Sequence, residues 1–466
     1  MSREKTNFLA GVIEGFYGPP WTQSERSELF GWMANWDLNT YLYAPKDDLK
    51  HRALWREQYS AVELERLREV VSMCKQRSIA FFYGLSPGLD IRYSDPGDLD
   101  ALKSRFDQML ASGCRNFALL FDDIPDRMDS KDIERWGSLA SAQSHVANSM
   151  FEWARQRFAE TRLLFCPTPY CGRMVERKHG GENYLPTIGR ELLPEIDVFW
   201  TGPEIISREI TLRHIEELRA VLRRKPLIWD NLHANDYDGR RFYCGPYAGR
   251  SPGLREAVSG LLLNPNNEFP LNYVPLRTFA AFIQCGTSST SPVPTPSSSP
   301  LPSSPWNTRN AYLSAIQEWL PSFATIGQPL ALQDLVLFGD CYYLPHEEGP
   351  EAERLYDGAE HLLKSDPATC DRETLTSFRQ QAGRLRDFCA RLVELKHRPL
   401  FYALSRRAWE LREELDLLIG YIGFKLEKHR APFTSDFHLS LTYRGGMVAR
   451  LQRLLTQNPD GTLAPR

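Results

Sequence analysis

The sequence lacks the short motifs by which several classes of enzyme and metal protein are recognised. Its nine cysteines include no C-x-x-C pair, and none of its ten histidines forms an H-x-H or H-E-x-x-H pattern. It also has no G-x-S-x-G elbow and no G-x-G-x-x-G turn. These absences argue against a zinc site, a catalytic metal, an α/β-hydrolase nucleophile and a dinucleotide-binding turn. We therefore expect neither a metal nor a cofactor.

A strong charge of one sign and a long apolar run are missing as well. The 56 basic and 59 acidic residues leave a formal net charge of −3, so no basic field is available to recruit nucleic acid or an anionic membrane. No apolar run approaches the roughly 18 residues that a membrane span needs. The first residues, MSREKTNFLAG, lack the apolar region of a secretory signal. With an odd number of scattered cysteines, the sequence predicts free thiols and a cytoplasmic location.

One segment divides the chain by composition. In residues 286–305, 17 of 20 positions are Ser, Thr or Pro, which cannot bury enough apolar area to fold. We interpret this segment as a linker or loop. It predicts two domains, at residues 1–285 and 306–466.

The first of these regions has the rhythm of a (β/α)₈ barrel. Short apolar runs recur about every 36 residues and alternate with helical patterns, which is the spacing of a strand, a helix and two loops. Capping boxes at Thr22–Glu25 and Ser60–Glu63 mark two of the helix starts. The eight predicted strands are Phe8–Glu14, Leu38–Tyr43, Ile79–Leu85, Asn116–Asp122, Arg162–Pro167, Asp197–Thr201, Pro226–Asp230 and Gly260–Asn264.

The region after residue 305 has a helical pattern instead. Apolar residues step by three and four from Leu375 to Leu395, and again from Leu404 to Leu418. A last amphipathic stretch runs from Met447 to Leu455. The pattern predicts an all-α domain, and the apolar stripes fit either an internal core or a face for self-association.

Polar residues gather where the predicted strands end, which is where barrel enzymes carry their catalytic side chains. Carboxylates, amides, one lysine and several aromatics would share one face. This mixture suits a sugar, because hydroxyls need polar partners and the faces of a sugar ring pack on aromatic walls. The residues concerned are Gly15, Lys46, Asp122, Asp123, Tyr170, Trp229, Asp230, Asn231, Asp236 and Asn264.

The adjacent carboxylates Asp122 and Asp123 are the most informative pair. Two carboxylates this close cannot both be ionised cheaply in a partly dry site, so one can act as an acid while the other stays charged. An Asp-Asp pair also occurs in solvated turns and helix caps. Its position directly after the apolar run Phe117–Phe121 favours the catalytic interpretation.

A calcium loop is an alternative for the segment from Asp230 to Asp238, which is rich in oxygen ligands. However, the ordered alternation and the distal glutamate of a calcium-binding loop are missing.

Several long motifs resemble the catalytic domain of glycoside hydrolase family 84. The resemblance spans residue 8 to about residue 285. It continues more loosely at residues 344–350 and 443–446, which resemble the helical stalk domain of that family. The motifs that carry it are GVIEGFYGPPW at 11–21, YAPKDDLKHR at 43–52, FALLFDDI at 117–124 and IWDNLHANDY at 228–237.

This resemblance implies a retaining exo-β-N-acetylglucosaminidase that removes β-linked N-acetylglucosamine from Ser and Thr of proteins. In that family the 2-acetamido oxygen of the substrate attacks the anomeric carbon and forms an oxazoline, so the protein supplies no nucleophile. By the same resemblance, Asp122 would hold and polarise the acetamido N–H, and Asp123 would act as general acid and then base.

Binding roles are carried over in the same way. Tyr170 and Asn231 would hold the acetamido group, and Asp236 would accept hydrogen bonds from the distal hydroxyls. Lys46, Asn264 and the backbone around Gly15 would complete the pocket. The stalk of the family also implies a homodimer through the helical domain.

Two other functions remain open on the sequence. One is an exo-hexosaminidase that acts on glycans, mucin or cell-wall fragments with the same chemistry. The other is a catalytically silent carbohydrate-binding scaffold. The complete set of Asp122, Asp123, Tyr170, Asn231 and Asp236 argues against the scaffold, because a binding protein needs no paired acid.

Overall fold

The computed structural model of the protein describes residues 8–285, 306–368, 370–426, 432–434 and 445–466. The predicted linker at 286–305 lies outside the described residues, and so do Tyr443 and Arg444 of the last resembling motif.

Eight parallel strands close into a barrel, in which each strand pairs with the next and β8 pairs with β1. The predicted (β/α)₈ barrel is therefore confirmed, and every predicted strand end lies within two residues of the observed one. The strands are β1 (Leu9–Glu14), β2 (Thr40–Tyr43), β3 (Ala80–Leu85), β4 (Asn116–Leu120), β5 (Leu163–Cys166), β6 (Asp197–Trp200), β7 (Leu227–Asp230) and β8 (Gly260–Leu263).

Helices separate successive strands, as the barrel topology requires. Both predicted capping boxes are present: the Thr22 and Ser60 side chains accept from the backbone N–H of Glu25 and Glu63, whose side chains reach back. The helices are α1 (Gln23–Asn35), α2 (Ala61–Gln76), α3 (Pro96–Ala111), α4 (Ser130–Trp136), α5 (Leu139–Arg157), α6 (Gly172–Glu176), α7 (Tyr184–Glu191), α8 (Leu212–Leu222), α9 (Leu254–Ala257) and α10 (Tyr273–Gln284).

Alternate residues of all eight strands meet in one buried cluster that fills the barrel. On β4, for example, Ala118 and Leu120 belong to this cluster, whereas Phe117 and Leu119 face the surrounding helices. Gly11 allows β1 to approach β2 closely, because a Cβ atom there would lie 1.7 Å from the carbonyl oxygen of Thr40. The register of each strand therefore decides which side chains point into the barrel.

The described residues form two compact units. The first takes in the chain up to Asp236, together with Tyr247–Phe269 and the chain from Phe279 to Trp306. The second comprises Tyr237–Pro246, Pro270–Thr278 and the chain from Asn307 onward. The first unit contains the barrel.

The chain after residue 306 is mostly helical, as predicted. Pro399 lies in the first turn of its longest helix, where the missing N–H costs nothing. The helices are α11 (Thr308–Trp319), α12 (Leu332–Asp340), α13 (Pro350–Lys364), α14 (Arg372–Arg391), α15 (Arg398–Leu426) and α16 (Gly446–Gln452). Among the described residues, no helix combines the length and the apolar character needed to cross a membrane.

The end of the chain differs from the sequence prediction. The amphipathic stretch from Met447 to Leu455 is helical only as far as Gln452, and two short antiparallel strands follow, β9 (Leu455–Gln457) and β10 (Leu463–Pro465). Pro459 cannot continue a helix, and Gly461 has a φ of 81°, which closes the turn between the strands.

Candidate active site

The inward register of the barrel strands continues into the loops that follow them. Because Ala118 and Leu120 point inward, Asp122 is the next residue in that series, and it is buried. The same count by two leads from Leu42 and Ala44 to Lys46. It also leads from Ile13 to Gly15, from Trp229 to Asn231 and from Leu262 to Asn264. Five strands therefore deliver most of the predicted site residues to one mouth of the barrel.

Asp122 and Lys46 form the buried ion pair of this site. The Lys46 ammonium donates to Oδ2 of Asp122 at 2.5 Å, and both side chains are almost fully buried. Burial raises the pKa of the Asp122 carboxyl, but the charge and hydrogen bond of Lys46, together with the charge of Arg52, outweigh burial and lower it. Asp122 is therefore charged at neutral pH.

The other oxygen of Asp122 is the more unusual feature. Oδ1 is buried and has no hydrogen-bond partner among the described residues. A buried carboxylate oxygen without a donor is costly, so it is a natural acceptor for a donor that a ligand brings.

Asp123 is exposed and points elsewhere, although it is adjacent in sequence. Its backbone has a φ of 50°, in the left-handed region that few residues other than glycine adopt, and such strain is typical of functional sites. The Tyr170 hydroxyl donates to Oδ1 at 2.7 Å, and the Tyr17 hydroxyl donates to Oδ2 at 3.0 Å. Burial and the charge of Asp123 raise the pKa of both tyrosines, which keeps them protonated as donors.

The opposite side of the barrel mouth carries an amide cluster. Oδ1 of Asn231 accepts from the Trp229 indole at 3.0 Å and from the Asn264 amide at 2.9 Å, and its own amide donates to the carbonyl of Ile205 at 2.9 Å. The Trp229 ring lies against Gly15, where a Cβ atom would come within 2.6 Å of it. These contacts fix Asn231 and the flat face of Trp229.

Asp236 is a third predicted carboxylate, and it is partly buried. Its Oδ2 accepts from the backbone N–H of Tyr17 at 3.1 Å. Burial raises the pKa of Asp236, and the nearby charge of Asp123 adds to this increase, whereas the Tyr17 hydrogen bond opposes it. Tyr17 thus contacts both Asp236 and Asp123.

The structure does not bring Asp230 into the site. Its side chain points away from the barrel interior, because it alternates with Trp229. Its carboxylate is fully buried in a bidentate pair with Arg250 at 2.7 and 2.8 Å and also accepts from the Tyr247 hydroxyl. Glu14 at the end of β1 is likewise turned outward, where it accepts from Arg26 at 2.6 and 2.9 Å. The expectation that Asp230 contacts a ligand is therefore corrected, since both of its oxygens are already occupied.

Sequence reasoning missed two residues that contact the carboxylate pair. Tyr17 stands in the GVIEGFYG motif but was not assigned a role, and Arg52 donates to the backbone carbonyl of Asp123 at 2.7 Å. The signal for Arg52 was weak, because one arginine after a strand is usually on the surface. In the described part of the chain, no group of three or more His, Cys, Asp or Glu side chains is arranged to hold a metal ion.

Fold and site together define a class of protein. A closed (β/α)₈ barrel that carries a charged, buried carboxylate and an exposed one at the end of a strand is the framework of a barrel enzyme with acid–base chemistry. The sequence model of the β-N-acetylglucosaminidase family matches residues 10–292, which is more than half of the chain. The chain belongs to this family of glycoside hydrolases, and the resemblance to family 84 is confirmed.

Curated relatives agree with this assignment. The chain is 49% identical over 275 residues to the protein O-GlcNAcases of Rattus norvegicus and Mus musculus. The match covers 59% of this chain but only 30% of each relative, so the chain spans less than a third of the length of these proteins.

Solved structures extend the likeness over more of the chain. A mutant of the O-GlcNAc hydrolase of Thermobaculum terrenum superposes with a TM-score of 0.74 and 28% identity, covering 89% of this chain and 84% of the other. The protein CpGH84B gives a TM-score of 0.71 at 22% identity, covering 90% of this chain and 69% of the other, and supports the fold alone.

The electrostatics of the pair lead to a first prediction. In Lys46→Met the strongest influence opposing burial is removed and the charge of Arg52 remains, so we expect the pKa of Asp122 to rise. The lowered pKa in the native protein stabilises the fold above about pH 4, and this stabilisation is lost as the pH falls. A ¹³C NMR titration of aspartate carboxyls, assigned with Asp122→Asn, would measure the change.

Lys50→Met is the matched control, because Lys50 pairs with Glu63 instead of the site. It should leave the titration of Asp122 unchanged. An unaltered pKa of Asp122 in Lys46→Met would contradict the role assigned to the ion pair.

Proposed function

We propose that this protein is a retaining exo-β-N-acetylglucosaminidase that removes N-acetylglucosamine from Ser and Thr of proteins by substrate-assisted catalysis. The observation that carries the proposal is the difference in burial and hydrogen-bond partners between Asp122 and Asp123. Asp122 is buried, charged and short of one donor, whereas Asp123 is exposed and held by two hydroxyls.

Asp122 has the properties that the first step needs. The acetamido N–H of the sugar would donate to the unpartnered Oδ1, while Oδ2 stays on Lys46. As the acetamido oxygen attacks the anomeric carbon, positive charge spreads onto the forming oxazoline, and the negative charge of Asp122 stabilises it. The substrate thus supplies the nucleophile and the protein supplies the charge.

Asp123 is placed to move the proton. In its protonated form it would donate to the departing glycosidic oxygen, and as a carboxylate it would then take a proton from the water that opens the oxazoline. The Tyr170 hydroxyl donates to Asp123, and with substrate bound it would donate to the acetamido oxygen.

The other side chains would form the walls of the pocket. Trp229 and Gly15 would provide a flat surface for the sugar, and Asn231 and Asn264 would offer amide groups to its polar atoms. Oδ1 of Asn264 is buried and lacks a hydrogen-bond partner within the described residues, so it is ready for a hydroxyl donor. Asp236 would accept from the distal hydroxyls.

The relatives support both the reaction and the substrate. The rat and mouse proteins are named protein O-GlcNAcase, and the bacterial structure is named an O-GlcNAc hydrolase. By the resemblance stated above, we also propose that residues 1–285 carry the activity and that the helical region from residue 306 forms a stalk-like domain through which two chains pair. A cytoplasmic location is part of the same proposal.

The acid role of Asp123 gives a second prediction. Asp123→Asn should lose about 10²- to 10⁴-fold in kcat/KM on a glycoside with a poor leaving group, and much less on an activated aryl glycoside that needs no proton. Asp122→Asn should lose activity on both, since the oxazoline ring closes as either leaving group departs. Steady-state kinetics with the two substrates would measure this.

Asp126→Asn is the control for the same change at an exposed position close by, and it should leave both rates unaltered. Equal losses on the two substrates for Asp123→Asn would remove its assignment as the acid.

A third prediction tests the nucleophile. Fluorination of the acetamido methyl withdraws electrons from the attacking oxygen, so kcat/KM should fall steeply from the acetyl to the trifluoroacetyl substrate. A series of mono-, di- and trifluoroacetyl aryl glycosides would show the slope. A flat response would favour a protein carboxylate as nucleophile and overturn the substrate-assisted mechanism.

The fourth prediction concerns which leaving group the protein prefers. We expect a higher kcat/KM for a peptide that carries O-linked N-acetylglucosamine than for a chitobiose-type glycan, measured in parallel on the same protein preparation. The reverse order would indicate a glycan exo-hexosaminidase. Turnover of neither substrate would favour a carbohydrate-binding scaffold.

A further inference from the structure

Gln143 is a fully buried polar residue on the barrel side of α5, and the mechanism above gives it no task. A buried amide is costly unless its donors and acceptor are all satisfied. An apolar side chain would be the cheaper choice for a helix that packs on the barrel. The partners of Gln143 therefore indicate what it is for.

These partners belong to three separate segments of the barrel unit. The Gln143 amide nitrogen donates to Oγ1 of Thr168 at 2.9 Å and to the Tyr93 hydroxyl at 3.2 Å. Its carbonyl oxygen accepts from the Tyr184 hydroxyl of α7 and from Thr168 Oγ1 at 3.3 Å. Tyr184 in turn accepts from the backbone N–H of Thr168 at 3.2 Å.

Three of these five bonds involve Thr168, which starts the turn after β5. Both its backbone N–H and its hydroxyl are held, so this end of the turn has little freedom. Two residues further on, the backbone carbonyl of Tyr170 accepts from the Thr201 N–H at 2.9 Å. The turn is thus held at Thr168 and at the backbone of Tyr170. From this turn the Tyr170 hydroxyl donates to Asp123.

We propose that Gln143 is a positioning residue for Tyr170: together with Tyr184 it holds the turn after β5, so that the Tyr170 hydroxyl meets the acetamido group and Asp123. This inference rests on the proposed function. Gln143 itself contacts neither Asp123 nor the barrel mouth, and it acts only through Thr168 and the turn. A displacement of about 1 Å at a reacting group can cost roughly a hundredfold in rate, which gives such a residue a measurable effect.

A double-mutant cycle tests the proposal. Gln143→Met keeps the length of the side chain but removes every hydrogen bond that the Gln143 amide makes, and Tyr170→Phe removes the hydroxyl that is positioned. We expect Gln143→Met to lower kcat/KM on an N-acetylglucosaminide by about 10- to 100-fold. In the Tyr170→Phe background the same change should cost little more, because its target is gone.

Asn148→Leu is the matched control, since Asn148 also lies on α5. Its amide donates to the Glu191 carbonyl at 2.7 Å, and its oxygen accepts from the Leu193 N–H at 2.9 Å, at the opposite end of α7 from Tyr184. It should lower the melting temperature without lowering kcat/KM. A purely structural role of Gln143 would make the two variants behave alike.

Tyr184→Phe is the second variant, for the case in which Gln143→Met does not fold. It removes one hydroxyl, and with it the acceptor of the Thr168 N–H, so it should reproduce the loss in kcat/KM and the dependence on Tyr170. Wild-type activity is measured first, and its absence would overturn the proposed function. Wild-type turnover with losses that multiply independently in the cycle would overturn this inference alone.

Discussion

The alternation of side chains along the barrel strands is the constraint on which the site depends. A strand points every second residue inward, and in a closed parallel barrel the inward series from all strands leave through the same end. Here those series end in Gly15, Lys46, Asp122, Asn231 and Asn264. A shift of one residue in any of these strands would replace a site residue by its outward neighbour.

Asp122 and Asp123 show how the end of a strand separates two chemically identical groups. Asp122 follows the inward register, becomes buried and is kept ionised by Lys46 despite that burial. Asp123 leaves the register through its left-handed backbone and becomes exposed, where two tyrosine hydroxyls hold it. The two adjacent carboxylates therefore lie in different environments, one buried against a lysine and the other open to solvent.

Much of this could be predicted from the sequence, because local patterns determine it. The eight strands follow from apolar runs at even spacing, and the helix starts follow from capping boxes. The nature of the last segment was missed because Met447–Leu455 has helical periodicity, whereas Pro459 and Gly461 beyond it select a hairpin. Tyr17, Arg52 and Gln143 could not be assigned from the sequence, since many of their partners lie 25 to 219 residues away along the chain.

The misassignment of Asp230 has a physical explanation that also concerns its neighbour. Asp230 and Asn231 are equally polar and adjacent, so composition cannot separate them, but only Asn231 shares the inward register of Leu227 and Trp229.

The outward carboxylate supports the inward amide. Arg250 holds both oxygens of Asp230 and also donates to the backbone carbonyls of Ser207 and Arg208, which ties the end of β7 to that segment. Glu14 and Arg26 do the same for β1, next to Gly15. Removing one partner of such a buried pair typically lowers the stability of the fold by about 3 to 5 kcal/mol, because the remaining charge is buried without a partner. The acidic residues on the outer face therefore hold the strand ends rigid, and the inner face can present polar groups that are not yet satisfied.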